Sequence, residues 1–247
     1  MNMKKPYRIA ERNIVISSLH AEVHRLCAAY LSCDSAPDFV VETTQADIDF
    51  EREKSAREDE AEGIPLRQFP DGYLETLAVY RKIAEKMPDY DTILFHGSCV
   101  AVDGVGYLFT AKSGTGKSTH TRLWRELLGD RAVMVNDDKP LIRIRDAGAA
   151  TVYGTPWDGK HRLSTNIAVP LKALCLLERA EQNTIRPVTR GEAYPMLLQQ
   201  AYRPMDSMAM SKTLTLIDRL AASVSLWRLG CNTEIEAARV AYDAMKG

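Results

Sequence analysis

The segment Tyr107–Thr119, YLFTAKSGTGKST, restricts the fold more than any other stretch of the chain. An apolar run, Val105–Thr110, leads into Ser113-Gly114-Thr115-Gly116-Lys117-Ser118-Thr119 and then directly into a helical pattern, Ser118–Leu128, stopped by Gly129. A strand, a glycine-rich loop and a helix in that order form the context a phosphate-binding loop requires. Gly114 and Gly116 let the backbone approach phosphate oxygens closely. Successive N–H groups and the helix N-terminus then cradle negative charge. In such a loop Lys117 bridges the β- and γ-phosphates of a nucleotide, and the Ser118 hydroxyl ligates Mg²⁺. Thr119 either adds an outer hydroxyl or opens the helix; the second reading is favoured. The general pattern begins with glycine, and Ala111 stands at that position.

A phosphate loop needs a carboxylate at the end of a neighbouring strand. Val133-Met134-Val135-Asn136-Asp137-Asp138 supplies a valine-rich strand ending in two acids. Adjacent carboxylates repel unless a cation or proton lies between them. One of the pair can hold a metal while the other accepts a proton from an attacking hydroxyl.

The rest of the chain reads as α/β. Ile14–Ile16 and Phe39–Val41 are strand-like and flank a helical pattern near 20–31. The charged run Glu51–Glu62 reads as a solvated helix face or a loop. Residues 71–87 have amphipathic helical spacing, with Pro88 after the stop. Strands are expected at 92–95, 98–102, 105–110, 132–135, 141–144, 150–153, 174–177 and 224–230. Asp103-Gly104 is a hairpin turn signal. Thr189 with Glu192, and Thr233 with Glu236, read as capping boxes opening helices; residues 208–222 form another helix. The charged run suggests an N-terminal subdomain or extension at 1–65 and a core at 66–247, which composition does not separate from one continuous domain.

Several classes are excluded. The 32 Lys+Arg nearly balance 33 Asp+Glu, so no basic face for nucleic acid is expected. No stretch approaches the ~18 apolar residues of a membrane span, and the N-terminus lacks a signal-peptide core. The five cysteines show no CxxC spacing, which argues against a zinc site or disulfide framework. A soluble, reduced, cytoplasmic protein is the expectation. Nine of the 14 glycines fall between Gly97 and Gly159, which locates the chemistry.

Within that region, Phe95-His96-Gly97-Ser98, Asp103-Gly104-Val105-Gly106-Tyr107-Leu108, Ser113–Ser118 and Asp137-Asp138 together resemble the catalytic domain of bacterial HPr kinase/phosphorylase, whose P-loop core is related to phosphoenolpyruvate carboxykinase. The resemblance covers roughly residues 92–140. It implies a mixed-sheet P-loop kinase core, here with a small N-terminal α/β subdomain. It also implies an ATP- and Mg²⁺-dependent kinase acting on a hydroxyl, typically a serine. By position, Asp137 matches the catalytic base and His96 the histidine assisting proton transfer beside it. Asp138 then becomes the metal partner with Ser118. The HPr kinases are hexamers, which puts a homo-oligomer among the expected assemblies.

After the Asp-Asp strand those enzymes carry a glycine-rich signature with glutamate and arginine. This chain carries Tyr153-Gly154-Thr155-Pro156-Trp157-Asp158-Gly159-Lys160-His161-Arg162 instead. Lys160 and Arg162 suit a transferring phosphoryl group. Trp157 suits stacking on a substrate or base, and Asp158 a metal or hydroxyl contact. The acceptor is a hydroxyl on a protein, peptide or small molecule. Two alternatives remain at this level: an ATP-binding regulatory module without transfer, and a carboxykinase-like enzyme.

Overall fold

The computed structural model describes residues 2–34, 36–145, 148–159 and 161–247. Its contacts divide the chain into two compact units, Met1–Glu85 and Lys86–Gly247.

In the first unit, β1 (Met3–Ile9) and β2 (Arg12–Ser18) form an antiparallel hairpin. Its turn holds Ala10 and Glu11 at φ 48° and 62°, the left-handed pair that a two-residue hairpin loop calls for. Helix α1 (Ala21–Leu26) leads across to β3 (Phe39–Glu42), which pairs with β2 in parallel. Helix α2 (Gln45–Glu62) starts at a Thr44–Asp47 capping box and stops at Gly63, φ 67°. The charged run is therefore helix. Two of its acids turn inward and are paired: Glu51 accepts from Arg81 Nε at 2.6 Å, and Asp59 from Arg67 Nε at 2.8 Å.

Helix α3 (Asp71–Lys86) buries Leu74, Ala78, Val79 and Ile83. Its Glu75 is fully buried and accepts the backbone N–H groups of Leu19 and His20, both at 2.7 Å, as well as the Thr43 hydroxyl. A buried carboxylate is tolerated only with such partners. These bonds tie α3 to the strands before it. The units divide at 85/86, and the charged run suggested 65/66.

The second unit contains β4 (Thr92–Leu94), β5 (Ser98–Val102), β6 (Val105–Thr110), α4 (Lys117–Leu128), β7 (Ala132–Asn136), β8 (Leu141–Ile144), β9 (Ala150–Tyr153), β10 (Ala168–Arg179), β11 (Thr184–Pro187), α5 (Arg190–Gln200), α6 (Ser207–Ser223), β12 (Ser225–Cys231) and α7 (Ile235–Met245). The sheet is mixed, in the order β4-β8-β9-β10-β6-β5-β7, with β12 also on β10 and β11 on β12. Strand β10 runs far beyond the expected 174–177. Its first residues pair antiparallel with β9, and the rest lies parallel to both β6 and β12.

Alternation along the strands sends side chains to two apolar layers. Cys99, Ala101, Leu108, Leu174 and Leu176 face Leu197, Leu216, Ile217 and Leu220 of α5 and α6. Val100, Val102, Tyr107, Phe109 and Leu177 face Leu123, Trp124, Ala238 and Ala241 of α4 and α7. Each leucine, isoleucine, valine or phenylalanine among them contributes about 1.5–3 kcal/mol on burial. The Thr189–Glu192 capping box forms as expected. Thr233 does not cap α7: Glu234 is the N-cap, and its N–H is held by Asn232 Oδ1 at 3.1 Å. No helix among the described residues is long and apolar enough to cross a membrane.

Candidate functional site

Strand β6 ends at Thr110, and the glycine-rich loop carries the chain into α4 at Lys117. Gly114 and Gly116 take φ 74° and 118°, which a side chain would strain. Ala111 needs no such freedom. Its methyl group lies in the α4-side core beside Phe109 and Trp124, and its carbonyl accepts from Lys117 Nζ at 3.1 Å. Lys117 is 9% exposed. Burial lowers its pKa, Asp138 and Asp137 oppose that shift, and Lys139 adds to it. Ser113 and Ser118 are exposed, and Thr115 and Thr119 half-buried. The guanidinium of Arg179, at the end of β10, donates to the Gly114 carbonyl.

The two acids follow β7, and a single amide shapes their turn. Asn136 Oδ1 accepts the N–H groups of Asp138 at 2.9 Å and Lys139 at 2.6 Å. Its Nδ2 donates to Thr155 Oγ1 at 3.1 Å and to the carbonyls of Thr155 and Trp157 at 3.2 and 3.3 Å. Thr155 Oγ1 in turn donates to Lys139 O at 2.8 Å. Asn136 thus joins the acidic turn to the segment 155–157. Asn136→Asp keeps the shape but sets an anionic oxygen against two carbonyls and beside two carboxylates. It is expected to cost about 2–4 kcal/mol; an unchanged denaturation midpoint would remove Asn136 from this role.

Asp137 is 6% exposed, and its Oδ1 accepts from Ser98 Oγ at 2.7 Å. Ser98 is in turn 2.8 Å from Thr121 Oγ1 on α4. Asp138 is more open. Burial raises its carboxyl pKa, Lys139 and Lys117 lower it, and Asp137 and Asp158 raise it again. His96 Nε2 lies 3.4 Å from Asp138 Oδ1. Burial, then Lys139 and Lys117, push the His96 pKa down to about 3, against a raising hydrogen bond with Gln200. That shift disfavours the imidazolium, so the 3.4 Å contact with Asp138 carries little ion-pair character. The resemblance set His96 beside Asp137; its ring is against Asp138. Its backbone is fixed on both sides, N–H to Gln200 O at 2.8 Å and O from Thr110 Oγ1 at 2.9 Å.

The segment after β9 reaches the same place. A Cβ on Gly159 would lie 3.3 Å from the Asp138 Cβ. Asp158 is buried and accepts from Ser164 Oγ at 3.0 Å. Trp157 is 8% exposed. Arg162 is exposed, with φ 51°. Lys160 lies outside the described residues. Lys117, His96, Asp137, Asp138 and Asp158 thus share one electrostatic neighbourhood, to which sequence reasoning had not assigned Ser98, Thr121, Asn136, Lys139 or Arg179. Ser98 and Asn136 stood inside the motifs, next to residues with evident chemistry, and only their hydrogen bonds mark them.

Among the described residues no group of three or more His, Cys, Asp or Glu side chains is arranged to hold a metal. Mg²⁺ is commonly bound by one or two carboxylates together with substrate phosphates. The hard oxygens of Asp138 and Ser118 fit such an ion.

A protein-family model described as SynChlorMet cassette protein ScmC matches residues 73–221, more than half of the chain. The chain belongs to the ScmC family. The match takes in the glycine-rich loop, both acids and the segment 154–162 of this ScmC protein. No curated protein matches the ScmC chain. Among solved structures, the Hpr(Ser) kinase/phosphatase from Coxiella burnetii is similar at 14% identity and a TM-score of 0.28, over 52% of the ScmC chain and 97% of its own. A likeness at that score supports no argument about activity.

Proposed function

We propose that the chain is an ATP-dependent kinase of the HPr kinase type, transferring the γ-phosphoryl group to a hydroxyl. The observation that carries this reading is the bond network joining the acidic turn to the helix that follows the glycine-rich loop: Asp137 to Ser98, and Ser98 to Thr121 of α4. These bonds support a reading in which a phosphate side and a proton-accepting side share one frame.

In this reading the amides of 113–117 and the Lys117 ammonium hold the β- and γ-phosphates. Mg²⁺, held by Ser118 and Asp138, would neutralise charge on those oxygens. Asp137 takes the proton of the acceptor hydroxyl as its oxygen bonds to the γ-phosphorus, and the bond from that phosphorus to the bridging oxygen breaks to leave ADP. His96 stands beside Asp138 on the same side. Asp158 and Arg162 border the acceptor side; Lys160 lies outside the described residues. The acceptor is a protein, peptide or small molecule carrying a hydroxyl.

The test is ATP binding followed by transfer of γ-labelled phosphate. Lys117→Ala is expected to weaken ATP binding about 10–100-fold, the loss of one or two charge-assisted hydrogen bonds. If the unaltered protein binds no ATP in the presence of Mg²⁺, the reading fails. The burial of Asp137 to 6% exposure favours a second reading, an ATP-binding regulatory module; that protein would bind ATP and label nothing, water included.

A further inference from the structure

Ser98 is fully buried and Thr121 is 1% exposed, and neither has a part in the phosphoryl-transfer steps above. Their hydroxyl protons can be assigned from the partners. An ionised carboxylate only accepts, so the 2.7 Å contact with Asp137 Oδ1 takes the Ser98 proton. Ser98 Oγ is then left as an acceptor, and the 2.8 Å contact requires the Thr121 proton. The carbonyls of Lys117 and Ser118 are also near Thr121 Oγ1, each at 3.3 Å, which is too long to compete with the shorter bond. The direction is Thr121 to Ser98 to Asp137.

One consequence follows for the acid: Oδ1 holds a donor that cannot leave without stranding a buried hydroxyl, which fixes the plane of the carboxylate. The orientation of the carboxylate is thereby set from α4, by a residue one turn beyond Lys117 and Ser118. We propose that Ser98 and Thr121 are positioning residues, a two-hydroxyl relay that aligns Asp137 with the phosphate side of the site. The inference rests on the phosphotransfer reading above. Misplacing a reacting group by a fraction of an ångström lowers turnover without touching ground-state binding.

The test uses the full chain with Mg²⁺-ATP as probe and water as acceptor, recording ATP affinity, kcat and thermal midpoint. Ser98→Ala is expected to lower kcat about 10–100-fold while ATP affinity stays within about twofold. Thr121→Val should lower kcat about 3–10-fold, and Thr121→Ser, which keeps the hydroxyl, should restore it. The relay is overturned by a folded Ser98→Ala protein with normal kcat, by a kcat loss matched by lost ATP affinity, or by equal rates in the Val and Ser variants. If Ser98→Ala does not fold, the Thr121 pair decides. Should the unaltered protein bind ATP and turn over none, or bind none, the kinase reading falls and the relay with it, a result seen in the parent protein and so distinct from failure of the relay alone.

Discussion

Gly154→Ala is expected to destabilise the Lys86–Gly247 unit by about 3 kcal/mol or more, at the upper end of overpacking costs. A Cβ at this position would stand 1.9 Å from Thr165 O and 2.7 Å from Val135 O. Both obstacles are backbone, so no rotamer change relieves them. The surrounding strands are pinned as well: Gly154 N–H donates to Ile167 O at 3.0 Å, and Thr165 N–H to Val135 O at 3.2 Å. A methyl group therefore has to force apart two hydrogen-bonded segments, and 155–158 moves with them. A thermal midpoint lower by roughly 6–12 °C is the expected result for a unit of this size. A midpoint within about one degree of the parent would show that the backbone approach is looser than described. The Asn136 bonds to Thr155 and Trp157 should loosen in the same variant, so transfer should decline with stability.

Asp137→Asn should separate binding from chemistry. Asparagine has the shape of aspartate, and its amide oxygen can still accept from Ser98, so the relay geometry persists. What it lacks is the capacity to hold a proton taken from the acceptor. Transfer is expected to fall about 10²–10⁴-fold, the usual contribution of general base catalysis. ATP affinity should hold or rise, because an anion near the phosphates has been removed while Lys117 stays. Full transfer in this variant would exclude Asp137 as the proton acceptor, and lost ATP binding would mean that its charge serves the nucleotide instead.

Much of this architecture is written locally. The hairpin at Asp103-Gly104, the strand before the glycine-rich loop and the helix after it need only short-range patterns, and they fall within a residue or two of expectation. Strand β10 is different. Pro170 interrupts its apolar run, and a proline inside a strand reads as a boundary; here it sits in the short stretch paired with β9. Strand β11 has four residues, mostly exposed and without alternation, so nothing in TIRP marks it. The site divides in the same way. Lys117, Asp137 and Asp138 announce themselves by type and spacing. Ser98 and Asp137 are 39 residues apart, and only the folded sheet brings them to 2.7 Å. Which of two adjacent acids His96 faces is decided by the twist of a turn that Asn136 holds, and no spacing in the sequence reveals it.

The parallel pairing of β10 bears on how the chain acquires its structure. Ala173 to Arg179 lie beside Ser225 to Cys231, with two helices and β11 in between. Contacts this distant in sequence form late, since the intervening chain must be ordered before they are made. During synthesis β10 presents one open, apolar edge until β12 emerges, and such an edge is a template for pairing with other chains. Truncation ahead of Ser225 would therefore leave the glycine-rich loop and both acids intact in sequence while exposing a strand edge prone to aggregation. For this protein, β12 is the cover on an apolar edge that the preceding segment cannot close by itself.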